Sequence, residues 1–412
     1  MPKIIYPICC GIDVHKSFVV ACIAKTEGVV TSYKSKRFST FSKGLRELSE
    51  WLNSNFCTDV CMESTGKYWI PVFNILESTC NVCLAHPKYV KAIKGKKTDK
   101  KDAQWIADLF KHDLVRASFM PPPEIRHLRD LCRYRTKLTY MQSSEKNRTQ
   151  NCLTVSNIQL ASVVSDTFGK SCQRIIEKIL ENPLDTGFDI APLIHGSLKS
   201  KIPDLKLAID GFITPEQAEK MKIIKQHFDA LQSCKRNLES LISSIATPFS
   251  AQIDLLLTAP AINDKFTAIQ IISEIGVDMS KFSTSKNLCS WAGLTPQNNE
   301  SAGKKKSVRI SKAGCYIKPL LVQCALAAIN SKKHPEIRTR YQNIKMRRGH
   351  RKAIIAIARS ILTAIWHMLS DNKPYNAEMY SHYNDLPTSR EITAQQAISM
   401  IKRLGYKLKD SA

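Results

Sequence analysis

Four carboxylates occupy positions where a divalent-metal site would need them: Asp13, Glu63, Asp99 and Asp102. Asp13 ends an apolar run that begins at Ile4, and a second apolar run, Phe18 to Ile23, follows a short polar break. That pattern predicts a hairpin with an acid at its edge. Glu63 closes a third apolar run, Val60-Cys61-Met62, and precedes a helix-like stretch through Ile70, Val72, Phe73 and Ile75. Asp99 and Asp102 open the helix-like segment that runs on to Phe110, and their i, i+3 spacing lets both face one side of it. Hard cations such as Mg2+ take oxygen ligands, and a pair of them can clamp a phosphodiester during in-line displacement. Singly, each acid has a plainer reading. An Asp after a strand is often a turn residue, an Asp at a helix start caps or favours it, and Glu63 could be a loop acid. The argument for a site lies in the ordered combination.

The elements that must position these acids follow from the hydrophobic pattern. Residues 1–115 read as alternating strands and helices, including a short strand at Asn81–Ala85. Acid on a first strand, acid on a later strand and acids on a following helix is the order of an RNase H-like core. A lysine-dense loop, with Lys88, Lys91, Lys94, Lys96, Lys97, Lys100 and Lys101, surrounds Asp99 and suits a site that receives phosphates. Pro121-Pro122-Pro123 marks a boundary. A helix is predicted from Glu124 to about Val155 and another from about Pro215 to Ile245. The second carries Met221, Ile224, Phe228, Leu231, Leu238, Ile242 and Ile245 in heptad-like steps, with Lys235 in one core slot. Two long helices around a variable middle, roughly 156–214, suggest a coiled-coil arm, either a hairpin within one subunit or a pairing between subunits.

Residues 251–372 read as a separate, mostly helical unit. Leu257 to Ile262 leads into a helix through Ile269, Ile272 and Ile275 that ends at Gly276, a pattern like a helix-hairpin-helix. From Ser301 to Ser360 there are sixteen Lys or Arg and one acid, Glu336. Lys304, Lys305, Lys306, Arg309 and Lys312 form one cluster, and Lys345, Arg347, Arg348, Arg351 and Lys352 a second. A run so long and so nearly free of acids points to nucleic-acid contact. The predicted class is therefore α/β plus all-α, divided into 1–120, an arm at 121–250, a helical domain at 251–372 and a tail at 373–412.

Composition narrows the partners. The 412-residue chain carries a formal net charge of +25 with an ordinary 43% of hydrophobic residues. Such a charge on a folded protein argues for a polyanion, because Lys and Arg contacts to phosphate release counterions. Nucleic acid is the first candidate and an anionic membrane surface the second. No segment is expected to approach the roughly 20 apolar residues of a membrane span, and Met1-Pro2-Lys3 is not expected to open a signal peptide. The 14 scattered cysteines suit buried residues in a reducing cytoplasm. Cys80 with Cys83, and Cys57 with Cys61, lack the partner pair a zinc site needs.

These residues together resemble the DEDD-type insertion-sequence transposases, also called bridge recombinases, over nearly the whole chain. Gly11-Ile12-Asp13-Val14-His15-Lys16, Met62-Glu63-Ser64-Thr65-Gly66 and Lys97-Thr98-Asp99-Lys100-Lys101-Asp102-Ala103 look like the three blocks of that family's RuvC-like domain. Ala292 to Pro296, Ser301-Ala302-Gly303-Lys304 and Arg309 to Gly314 resemble its C-terminal transposase domain, with Ala302 where the family pattern has glycine. The resemblance implies that the four acids bind Mg2+ and that Ser301 attacks the scissile phosphate, giving a covalent phosphoserine intermediate. Ser307 and Ser311 are alternative serines, Ser311 looking more like a helix N-cap. It also implies donor and target DNA as substrates and a structured noncoding guide RNA that specifies sequence by base pairing. A homo-oligomer, dimer or tetramer, held by the coiled coil would join the acids of one subunit to the serine of another.

Two rival functions come from the residues alone. A RuvC-like structure-specific nuclease using metal-activated water accounts for the acids and leaves residues 251–372 without a role. A non-catalytic nucleic-acid binder accounts for the charge, and the strand, strand, helix order of the acids argues against it.

Overall fold

A computed structural model describes residues 3–64, 66–85, 98–183, 187–297, 299–301, 304–307 and 309–377. The chain divides into two compact units, residues 1–120 and 121–412.

The first unit is built on a five-stranded mixed sheet. In chain order its elements are β1 (Ile8–Val14), β2 (Phe18–Glu27), β3 (Val30–Ser39), α1 (Ser42–Ser54), β4 (Asp59–Glu63), α2 (Trp69–Leu76), β5 (Asn81–Ala85) and α3 (Asp99–Lys111). The strand order is β3-β2-β1-β4-β5. β1 pairs antiparallel with β2 and parallel with β4, which pairs parallel with β5. Alternation along the strands separates two faces. Cys10, Ile12, Val19, Ala21, Val60 and Met62 join α1 and α2 in one core through Leu45, Leu48, Leu52, Val72 and Leu76. Cys9, Cys61 and Ala85 point the other way and pack against Ile106, Ala107 and Phe110 of α3.

Gly11 lies on that second face, and α3 rests directly on it. A β-carbon there would collide with the Ala103 carbonyl and the Ala107 amide. The absence of a side chain is therefore what brings the helix onto the strand two residues before Asp13. β3 is an edge strand with Val30 and Tyr33 exposed. It is tied to α3 by the Tyr33 hydroxyl donating to Asp108 at 2.6 Å and by Lys111 donating to the Tyr33 hydroxyl at 3.2 Å.

The second unit is mostly helical. Its long helices are α4 (Pro123–Val155) and, after α5 (Leu160–Val163), α6 (Lys170–Glu181) and α7 (Ile202–Ala208), α8 (Pro215–Ile245). α4 and α8 pack against each other antiparallel within this chain. Arg135 meets Glu239 at 2.7 Å and Glu145 meets His227 at 3.0 Å, so pairing runs upward on one helix as it runs downward on the other. Thr214 caps α8 by accepting from the Gln217 amide, and Pro215 follows at the first helical position. The middle segment is more than a connector. Cys152, Leu153, Ile158, Ile175, Ile179, Ile190, Leu205 and Ile213 bury a core of their own, completed by Met221 and Ile224 of α8.

The remaining elements are α9 (Ser250–Leu256), α10 (Lys265–Ile275), α11 (Ser285–Trp291), β6 (Asn299–Ser301), β7 (Lys304–Ser307), α12 (Ile317–Asn330), α13 (Pro335–Arg348) and α14 (His350–Asp371). The α9–α10 turn places Ala261 at φ 61°, a left-handed position that favours glycine, and Asp264 caps α10 by accepting from the Thr267 amide. α14 is long and apolar enough, by length and composition, to cross a membrane, against the expectation that no segment approaches that. Its Ala353, Ile354, Ile357, Ile361, Leu362 and Ile365 are buried, and the helix packs against α11, α12 and α13.

Candidate metal centre and basic hairpin

The acidic group forms where β1 ends and α3 begins. Thr98, rather than either aspartate, caps α3 by accepting from the Lys101 amide. Asp99 and Asp102 occupy the first turn, where negative charge meets the positive end of the helix dipole. Asp13 sits opposite on β1, on the face shared with Cys9 and Gly11. Donor atoms of Asp13, His15 and Asp99 all lie within 4.8 Å of one another. His15 Nε2 is 3.0 Å from Asp13 Oδ2 and 3.5 Å from Asp99 Oδ1. Burial pushes the Asp13 carboxyl up; His15 pulls it the other way, and the charges of Asp102 and Asp99 push it further up.

Glu63 ends β4 next to β1. The register Ile12↔Met62 sets Asp13 and Glu63 at neighbouring strand ends, and Glu63 shares the parity of Cys61, which faces α3. Asp13 and Asp99 thus meet closely. Glu63 and Asp102 stand on the elements expected, outside that closest group. Carboxylate oxygens from a strand and a helix suit a hard divalent cation. Lys96 and Lys97, with most of the lysine-dense loop, lie outside the described residues. Cysteine chemistry adds nothing to the site: all fourteen thiols are free, and burial holds Cys9 and Cys57 up at about 12.

In the second unit, Ser301 is the last residue of β6 and pairs with Lys304 of β7; Lys305 and Lys306 follow on the same strand. Their side chains lie outside the described residues. The base of this hairpin is fixed by the Pro296↔Ile310 bridge and by Gln297 donating to the Arg309 carbonyl at 3.1 Å. Beneath it, two glycines at positive φ lock two turns together. A β-carbon on Gly293 would strike the Ala313 carbonyl, and one on Gly314 would strike the Ala292 carbonyl. Arg309 and Lys312 are exposed beside the hairpin, and Arg347, Arg348 and Arg351 are exposed around the α13–α14 junction. Ser311 does not cap a helix. Its hydroxyl accepts from the Ala313 amide two residues on, a local turn, and α12 begins only at Ile317.

A family model described as "Transposase" matches residues 10–158, and one described as "Transposase IS116/IS110/IS902 family" matches residues 253–342. Together they cover more than half the chain. The chain is 23% identical over 325 residues to the transposase for insertion sequence element IS1111A of Coxiella burnetii (strain RSA 493 / Nine Mile phase I), covering 77% of this chain and 79% of that one. The chain belongs to the IS116/IS110/IS902 transposase family. Over 109 residues this transposase is also 30% identical to the insertion element IS900 uncharacterized 42 kDa protein of Mycobacterium paratuberculosis, spanning 26% of this chain and 27% of the relative.

Membership makes the chain a DNA-cleaving and recombining enzyme, so the rival reading as a non-catalytic binder falls away. The first match contains Asp13, Glu63, Asp99 and Asp102, and the second contains Ser301 and the basic hairpin. Sequence reasoning about candidate residues passed over two positions beside the acids of the candidate metal centre. His15 carried no ligand signal of its own, being one histidine after a strand. Gly11 could be found only by asking why an apolar strand carries a glycine two residues before an acid.

Proposed function

We propose that this transposase cuts and rejoins insertion-element DNA with an RNase H-like, RuvC-type centre on residues 1–120 and a serine nucleophile on residues 251–372. The observation that carries the first part is the meeting of Asp13 on β1 with Asp99 on the first turn of α3, in a five-stranded mixed sheet with helices on both faces. Asp13, Glu63, Asp99 and Asp102 would hold Mg2+. When bound, the ion supplies charge neutralisation and orientation at a phosphodiester. The chain's own part is to present these carboxylates from rigid elements, with Gly11 letting α3 approach.

Ser301 is the proposed nucleophile. Its oxygen bonds to phosphorus as a deoxyribose oxygen leaves, the hydroxyl proton passes to a neighbouring base, and the phosphodiester energy is kept in a phosphoserine for rejoining. Support comes from its place in a short hairpin beside Lys304, Lys305 and Lys306, whose residue type suits phosphate. Lys96, Lys97, Arg309, Lys312, Arg347, Arg348 and Arg351 complete the proposed nucleic-acid contacts. The substrates are donor and target DNA, with a structured noncoding RNA supplying sequence specificity, and the working form is a homo-oligomer built through the α4–α8 arm. The helical arm at 121–250 and the tail at 373–412 complete the division. The helix–turn–helix of α9 and α10 suits backbone contact with DNA.

Denaturing gels of reactions with labelled DNA test the serine. Wild type should leave a protein–DNA adduct that survives denaturation, and Ser301→Ala should leave none and stop recombination. A wild type that cleaves without an adduct, or a Ser301→Ala protein that still forms one, refutes the serine and favours metal-activated water as in a nuclease.

A further inference from the structure

We infer that His15 is itself a metal ligand, through Nε2, and that the centre therefore takes a first-row transition cation such as Mn2+ more tightly than Mg2+. The inference deepens the proposed metal centre and rests on it. Three observations lead to it. Nε2 of His15 is aimed between two carboxylates of the proposed centre, 3.0 Å from Asp13 Oδ2 and 3.5 Å from Asp99 Oδ1. Adjacent ligands on an octahedral ion at about 2.1 Å stand about 3 Å apart, so these spacings fit neighbouring coordination positions.

The ring is also held from behind. The His15 ring lies tilted by 34° against Phe18 with centroids 4.5 Å apart, and the Arg37 guanidinium covers the Phe18 ring at 3.6 Å. The tight β1–β2 turn fixes the backbone as well, with the His15 amide donating to the Phe18 carbonyl at 3.0 Å. These contacts restrict the ring before any ligand arrives, and ligands oriented by outer-shell contacts are the ones that bind metals well. Finally, the donor set itself is mixed. Mg2+ prefers an all-oxygen shell and keeps its waters, whereas imidazole nitrogen adds affinity for first-row transition ions. An imidazole nitrogen among the carboxylates suits the second class better than the first.

The alternative role for His15 is to orient Asp13 by a hydrogen bond without touching metal. Pulsed electron paramagnetic resonance of Mn2+ added to the full-length protein separates the two. Directly bound nitrogen gives a coupling that 15N-histidine labelling changes. That coupling should be present in wild type and absent in His15→Asn, a near-isosteric variant at a half-exposed turn whose folding circular dichroism verifies. Calorimetric titration should show Mn2+ bound at least about tenfold more tightly than Mg2+ by wild type. His15→Asn should lose about tenfold or more in Mn2+ affinity and much less in Mg2+ affinity, because it removes the nitrogen donor that only the transition ion favours. Mn2+ bound in an Asp13-dependent way with no nitrogen coupling overturns the ligand role while leaving the metal centre intact. Mn2+ affinity unchanged in Asp13→Asn overturns the centre itself.

Discussion

A half-buried carboxylate beside two others is costly unless a cation joins it, and Asp13 is in that position. Asp13→Asn or Asp102→Asn should abolish DNA cleavage and leave affinity for nucleic acid near wild type, since neither residue contributes positive charge. Cleavage and filter-binding assays on the same preparations check this, and cleavage that persists in excess chelator contradicts it. Glu274 makes the opposite point, that a buried acid can be wholly structural. Its two carboxylate oxygens accept from Arg133 Nε and Nη2, at 2.8 and 2.9 Å, while Arg129 donates to the carbonyls of Ser273 and Glu274 at the end of α10. Burial pulls the Arg129 guanidinium down to about 10, so it stays charged at neutral pH. Glu274→Ala leaves these cations uncompensated and should cost about 3–5 kcal/mol in chemical denaturation; a loss under about 1 kcal/mol would show that water re-solvates the pair. The acids proposed for the metal centre stand out in sequence because strand ends and first helical turns have sequence signatures. Glu274 and His15 do not, because their partners lie far along the chain or across a turn that no local pattern encodes.

Elements follow the same division. β1, β2, β4, β5, α4, α8 and α10 appear where the apolar pattern placed them, with the predicted span Pro215 to Ile245 matching α8. β3 escaped because its residues, Val30-Thr31-Ser32-Tyr33-Lys34-Ser35-Lys36-Arg37-Phe38-Ser39, bury only Phe38, as an edge strand can. The segment between the long helices was read only as variable, yet it holds a core from Ile158 to Ile213. Short helices and turns carry too few periods to announce themselves. The contact between β1 and α3 is the element pairing on which the proposed metal centre depends. Gly11→Ala forces a methyl into the Ala103 and Ala107 backbone, so it should cost about 1–3 kcal/mol or more in stability. Because α3 must retreat, Asp99 moves with it, and cleavage should fall further than the stability loss explains. A Gly11→Ala protein with wild-type midpoint and wild-type cleavage would show that α3 does not need this close seat.

For the molecule as a whole, charge and assembly decide behaviour. A net charge of +25 makes nucleic-acid affinity fall with salt, at a slope of about −0.9 per phosphate contact. Arg347→Ala should lower the magnitude of that slope by about one, whatever the DNA sequence. An unchanged slope would place Arg347 outside the contact surface. Assembly turns on the arm. α4 and α8 already pair inside one chain, so a partner must be met by what that pairing leaves uncovered. On α4, Tyr134 and Met141 are exposed and lie seven residues apart, two turns along one side, and Leu241 is exposed on α8. Leu231, in contrast, is buried on α8. If subunits join along the exposed stripe, Tyr134→Glu with Met141→Glu should give smaller particles in sedimentation velocity at unchanged helical content. Leu231→Glu should instead lower the denaturation midpoint, because a buried unpaired charge costs several kcal/mol. Particles of wild-type mass in the exposed-stripe variant would move the subunit contact off this face. A wild type that sediments as a monomer at every concentration would leave the arm as an intrachain hairpin alone.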